Sequence, residues 1–98
     1  MKDKQSNERV VVTQYGGPGV LKLIEEAMPQ PLAGEVRIKV QAAGVALADA
    51  MRREGRYPGS PSTPFTPGYD IVGIIDAIGI QVDPRIGLGT KAAAFFLA

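Results

Sequence analysis

The 98-residue chain contains neither cysteine nor histidine. The first absence excludes disulfides and thiolate metal ligands. The second excludes Ser-His-Asp and Cys-His nucleophilic catalysis, and together they remove most zinc chemistry. Charge of one sign is also lacking: 11 Lys and Arg against 10 Asp and Glu leave a formal net charge of +1. The tight basic cluster, Arg52, Arg53 and Arg56, is interrupted by Glu54, and no basic stripe interleaves with aromatics, so nucleic-acid binding has no support. No apolar run approaches the ~20 residues that a membrane-spanning helix needs. The opening MKDKQSNERV is polar with mixed charges, unlike a signal peptide. A cytoplasmic chain with no nucleic-acid and no membrane partner is the expectation.

What the chain does have is turn residues, with Gly 12 and Pro 8, beside a hydrophobic fraction of 45% and a charged fraction of 21%. That composition suits a small, mainly β globular domain, or a piece of a larger one. Residues 1–8 read as a disordered polar tail. RVVVTQ, Arg9 to Gln14, reads as a strand, and Val20 to Glu25 as its hairpin partner across YGGPG. Pro29, Pro31 and Gly34 make a loop. In EVRIKVQAAG, Val36, Ile38, Val40 and Ala42 alternate with Arg37, Lys39 and Gln41, the period of a strand with one wet face. Leu47 to Arg53 carries helix formers and Gly55 is a stop signal, which predicts a short helix of about two turns. Pro61, Pro64 and Pro67 predict a rigid extended loop. YDIVGIIDAIGIQV predicts a long apolar strand, with Gly73 and Gly79 as bulges or close approaches. KAAAFFLA begins one more strand or short helix.

Each tempting motif has a plainer reading. GLGTKA, Gly87 to Ala92, fits G-x-G-x-x-G/A, yet too little chain follows it for a βαβ unit, so a turn between strands is the better reading. YGGPGV lacks the Lys-Ser/Thr of a phosphate-binding loop and reads as a hairpin connection. The arginine cluster matches phosphate geometry, but it suits the solvated face of a short helix better. Asp49, Asp70 and Asp76 are acid–base or hard-cation candidates without the spacing of a ligand loop.

Two blocks change the weighing. VQAAGVALADAMRREGRYPG followed by PFTPGYDIVGIIDAIGIQV resembles the N-terminal GroES-like domain of the medium-chain dehydrogenase/reductase superfamily. Within it, the match is to the zinc-free quinone oxidoreductase branch of alcohol dehydrogenase-like proteins. YGGPGVLKL and PLAGEVRIKV resemble it too, so the match spans about Val10 to Leu97. The resemblance implies a mainly β fold, a GroES-like partly open barrel with one short α-helix, over residues 9–98. In the complete enzyme that domain adjoins a Rossmann domain holding NADP(H), with the nicotinamide in the cleft between them.

Residue by residue, the resemblance places Ala46 where zinc-dependent relatives carry a cysteine ligand. Tyr69 stands where they carry a histidine, so no metal is expected. Zinc-free relatives often carry asparagine at the position of Ala46, and that amide is missing as well. Ala46, Asp49 and Tyr57 fall on the nicotinamide side, Tyr57 being the catalytic candidate. Tyr69 and Asp70 fall on the substrate cleft, where a small carbonyl or quinone would bind. The plain alternative for Tyr57 is an aromatic that caps the end of the helix.

The family continues beyond Ala98, so the chain is expected to be either a truncated enzyme that is inactive and binds no cofactor alone, or a stand-alone module. The alternative function is accordingly a non-enzymatic binding or assembly module on the same scaffold. The apolar C-terminal edge predicts a homo-oligomer. The Gly55–Pro67 loop is expected to vary most in order. TPFTPGYDIVGIIDAIG, Thr63 to Gly79, then reads as a stiff corner feeding a strand whose first residues face the cleft.

Overall fold

The computed structural model describes residues 6–96. They divide into two compact units, residues 6–28 with 45–68 and residues 29–44 with 69–96.

The first unit holds an antiparallel hairpin and the helix. Strand β1 (Ser6–Val12) pairs with β2 (Leu21–Ala27) from Ser6↔Ala27 to Val12↔Leu21. The strand thus starts at Ser6, ahead of the expected Arg9, so Ser6, Asn7 and Glu8 of the expected tail are paired backbone. Residues 1–5 lie outside the described residues. Side-chain bonds add to the backbone ladder here: Asn7 Nδ2 donates to Glu26 Oε1 at 3.1 Å, and the Arg9 guanidinium donates to Glu26 Oε2. The connection is the hairpin turn expected of YGGPG, with a short 3-10 turn at Pro18–Val20. Val11 and Val12 are buried, and Val12 exchanges backbone hydrogen bonds with Phe65 beyond the cis Thr63–Pro64 bond. The proline-rich segment is therefore tied to β1 as well as stiffened by its rings.

Helix α1 (Leu47–Glu54) ends where Gly55 takes a left-handed φ of 75°. The Gly55 N–H donates to Arg52 O (3.0 Å) and the Arg56 N–H to Met51 O (2.9 Å), the paired closure that a left-handed residue permits. Gly55 also has no room for a side chain, because a Cβ there would lie 2.8 Å from Tyr15 Cγ.

The second unit is an open three-stranded antiparallel sheet in the order β3 (Val36–Ala43), β4 (Asp70–Ile78), β5 (Lys91–Phe95). The described residues are mainly β with one α-helix, as read from the sequence, and the ambiguous KAAAF is a strand. Neither sheet closes on itself among the described residues. The expected wet-face alternation of β3 is not found: Val36, Arg37 and Ile38 are all half-buried, and residues 39–43 are all exposed. Register shifts at Arg37/Ile38 and Val40/Ala42 offset the side chains, and Val40 is exposed. Gly73 is a close approach: a Cβ there would stand 2.1 Å from the Lys39 carbonyl oxygen across the β3–β4 pair. Ile75 is the buried apolar residue of this unit.

Candidate functional site

Ala46, Asp49 and Tyr57 belong to the first unit, whereas Tyr69 and Asp70 belong to the second. In the first, α1 begins with a carboxylate cap. Asp49, at the third helical position, turns back so that Oδ2 accepts the Ala46 N–H at 2.9 Å. Ala46 has no side-chain acceptor to return the bond, so this is half of a capping box. The Asp49 N–H instead donates to the Ala46 carbonyl at 3.0 Å. Ala46 therefore offers its methyl group, with its amide already engaged.

Asp49 is buried, and its Oδ1 makes no hydrogen bond among the described residues. One turn on, Arg52 Nη1 stands 3.8 Å from that oxygen. The Arg52 guanidinium carbon lies 4.4 Å from the centre of the Tyr57 ring, a cation–π contact. Tyr57 is held from below by its own backbone, whose carbonyl accepts the Ser60 N–H (2.9 Å) and hydroxyl (2.6 Å). Its phenol hydroxyl makes no hydrogen bond among the described residues. The guanidinium thus covers one face of the ring, and the unbonded hydroxyl is a donor suited to a carbonyl oxygen.

The arginine cluster departs from the expected solvated face. Arg53 Nε donates to the Gly16 carbonyl at 3.0 Å, and the Gly16 N–H donates back to the Arg53 carbonyl at 3.0 Å. Arg53 thereby clamps the hairpin turn to the helix, with its side chain mostly covered. Arg56 behaves as expected, exposed and paired with Glu54 at 3.4 Å. Residue type and clustering pointed to the surface. The i,i+3 spacing of Asp49 and Arg52 was the available signal for Arg52, and nothing local marks the partner of Arg53.

In the second unit, Tyr69 stacks edge-on against Phe95, with ring centroids 5.2 Å apart and planes at 83°. The Phe96 N–H donates to the Tyr69 carbonyl at 2.7 Å, and the Gly44 N–H to the Asp70 carbonyl at 3.3 Å. The Asp70 carboxylate lies over Gly44, where a Cβ would come within 2.5 Å of Oδ1. Asp70 and Phe95 border a shallow concavity of about 500 Å³ floored by small residues, among them Ala42, Ala43, Ala93 and Ala94. Tyr69 thus presents an edge-stacked ring, and Asp70 an exposed carboxylate at the rim of an apolar groove.

The remaining candidates are structural. Asp76 accepts from Arg37 Nε at 2.8 Å, a cross-strand ion pair. After Gly87–Thr90 comes β5 and no helix, so GLGTKA is the turn it was read as. Among the described residues, no group of three or more His, Cys, Asp or Glu is placed to hold a metal ion. No helix among them is long and apolar enough to cross a membrane. The Asn7 hydrogen bond and then Arg9 hold Glu26 below the usual carboxylate range. The Asp83–Arg85 hydrogen bond lowers Asp83 and raises Arg85.

Residues 32–95 match the alcohol dehydrogenase GroES-like domain. The human synaptic vesicle membrane protein VAT-1 homolog-like is 40% identical over 93 residues, covering 95% of this chain and 22% of that protein. Its crystal structure superposes with a TM-score of 0.84 at 37% identity, over 92% of this chain and 29% of the other. The quinone oxidoreductase of Lama guanicoe is 47% identical over 72 residues, 72% of this chain and 22% of that protein. The Escherichia coli quinone oxidoreductase complexed with NADPH superposes with a TM-score of 0.82 at 29% identity, over 94% of this chain and 28% of the other. The chain spans less than a third of the length of each of these relatives. It belongs to the alcohol dehydrogenase GroES-like family, as the N-terminal domain type of the medium-chain dehydrogenase/reductase superfamily.

Proposed function

We propose that the chain supplies the catalytic-domain part of an NADP(H)-dependent quinone or enone oxidoreductase and is inactive alone. Tyr57 carries the reading: its ring lies against the Arg52 guanidinium, its backbone is tied by the Ser60 turn, and its hydroxyl is free to donate to a substrate carbonyl. Relatives called quinone oxidoreductase, one of them complexed with NADPH, support it. NADPH, when bound to the full-length enzyme, supplies the hydride. This chain's residues do the positioning. The Ala46 methyl and the capped start of α1 form an apolar wall for the nicotinamide side, because the Ala46 amide already serves Asp49. Asp49 holds the helix start. Tyr57 orients the carbonyl. Within the second unit, Tyr69 and Asp70 are assigned to the substrate side, with Asp70 and Phe95 at the rim of the alanine-floored groove. Zinc does not fit: a methyl group at Ala46 cannot ligate, and no histidine or cysteine is available elsewhere in the sequence.

The test is an NMR titration with 1,4-naphthoquinone and, separately, with NADPH. The expected result is a saturable shift of the Tyr57 resonances with the quinone and none with NADPH. Absence of the first removes the substrate role, and a clear NADPH response removes the division of labour between domains.

The full-length protein is cytoplasmic. Exposed Phe95 and Phe96 at the end of β5 support a homo-oligomer formed through that apolar edge. Light scattering should show a mass that rises with concentration, and a monomer at high concentration removes this part. The same exposed surface supports a second reading, a non-enzymatic assembly module. Retained association with no quinone response at Tyr57 would favour it.

A further inference from the structure

Asp49 and Arg52 stabilise the helix as a capping carboxylate and an i,i+3 pair, and Arg52 also reaches the Tyr57 ring. Asp49 Oδ1 is buried and makes no hydrogen bond among the described residues. Asp49 uses one oxygen to cap the helix, and the other faces Arg52 at 3.8 Å. Arg52 in turn lies over the Tyr57 ring at 4.4 Å. The side chains of Asp49 and Arg52 are mostly covered, with relative exposures of 10% and 19%. That covering reduces solvent screening between them.

Resting on the substrate role of Tyr57 given above, we propose that Arg52 is a positioning residue. Asp49 Oδ1 holds its guanidinium, and the guanidinium plane fixes the Tyr57 ring so that the phenol hydroxyl meets a ligand carbonyl in one orientation. A planar guanidinium can lie flat on an aromatic face while an edge points to a carboxylate, whereas a lysine ammonium is a point charge that fixes no plane. The chemistry assigned to the ligand is a flat conjugated carbonyl whose oxygen accepts a hydrogen bond, as in a quinone. Arg52 does not touch it and acts through Tyr57.

The experiment is the naphthoquinone titration on the whole chain with Arg52→Met, Arg52→Lys, Tyr57→Phe and the Arg52→Met/Tyr57→Phe double variant. The upfield ring-current shift of the Arg52 side-chain Nε–H serves as a readout of the stack. Tyr57→Phe should keep that shift, since the ring remains, and weaken quinone binding about threefold to fivefold. Arg52→Met should weaken binding by a similar factor while the chain stays folded. Arg52→Lys should not restore it, and the double variant should bind no worse than Tyr57→Phe, because both changes remove one interaction. Unchanged binding in Arg52→Met, or additive losses in the double variant, overturns the positioning role and leaves the function standing. No quinone response in the wild-type chain overturns the substrate role of Tyr57 and this proposal with it.

Discussion

Gly73 sits in the middle of β4, opposite Val40 on one side and Ala92 on the other. A methyl group added there would stand 2.1 Å from the Lys39 oxygen, 2.9 Å from the Lys39 carbonyl carbon and 2.8 Å from Ile38 Cγ2. Two of those atoms are backbone in a paired strand, so relief requires β3 and β4 to part. Overpacking of a filled site costs about 1–3 kcal/mol, and an immovable carbonyl puts Gly73→Ala at the upper end, about 3 kcal/mol. A domain of this size has roughly 5–15 kcal/mol of stability to lose. At about 4–8 °C per kcal/mol, the Tm should fall by about 12–24 °C. Gly17→Ala is the control, because nothing lies within 4 Å of a Cβ there. Its extended φ of −75° suits alanine, so the change should be neutral or stabilise by up to about 1 kcal/mol through the unfolded chain. Thermal and urea unfolding followed by circular dichroism measure both. A Gly73→Ala loss below about 1 kcal/mol, or one matching Gly17→Ala, would show that the strands yield and that the close approach is not a constraint.

The three atoms that Gly44→Ala meets first belong to the Asp70 carboxylate, and an exposed side chain can swing away. It should therefore cost less than about 1 kcal/mol while shifting the Asp70 side-chain carboxyl resonance, and a loss as large as that for Gly73→Ala would contradict the distinction. Arg53→Met breaks the bond to the Gly16 carbonyl from a mostly covered side chain and should cost about 1.5–3 kcal/mol in urea unfolding. An unchanged midpoint would reduce the clamp to a bystander. Glu26 is held below its ordinary value, so its contribution is present above the unfolded-state value of 4.5 and is lost as pH falls through the lower folded value. Unfolding midpoints of wild type and Glu26→Gln should therefore differ most above pH 4.5 and converge in acid. A constant gap across that range would exclude the carboxylate as the cause.

Secondary structure was legible where one local force decides it. The β-branched run of β1, the helix formers ahead of Gly55 and the glycine-rich hairpin turn each settle their own backbone, and each is found. Reading failed where the deciding partner is remote. Ser6–Glu8 look like a solvated tail, yet Asn7 and Arg9 both find Glu26 on the facing strand, and pairing extends to Ser6. The alternation of β3 predicts a covered face throughout, but register shifts are set by how β4 lies beside it, with Gly73 permitting the approach.

The candidate site shows the same division at the scale of single side chains. Tyr57 and Asp49 could be named because a familiar order of residues carries them. What each does locally depends on groups that composition assigned to solvent. Arg52 and Arg53 adjoin in sequence, so on a helix they point about 100° apart. One reaches Asp49 and the Tyr57 ring, and the other reaches the Gly16 carbonyl. A cluster that reads as one patch of charge is therefore two separate devices, one bracing a hairpin turn and one steadying an aromatic ring. The spacing of Asp49, Arg52 and Tyr57 shows that they can approach one another. The left-handed turn at Gly55 ends the helix between them, and the Tyr57 ring centre lies 4.4 Å from the Arg52 guanidinium carbon.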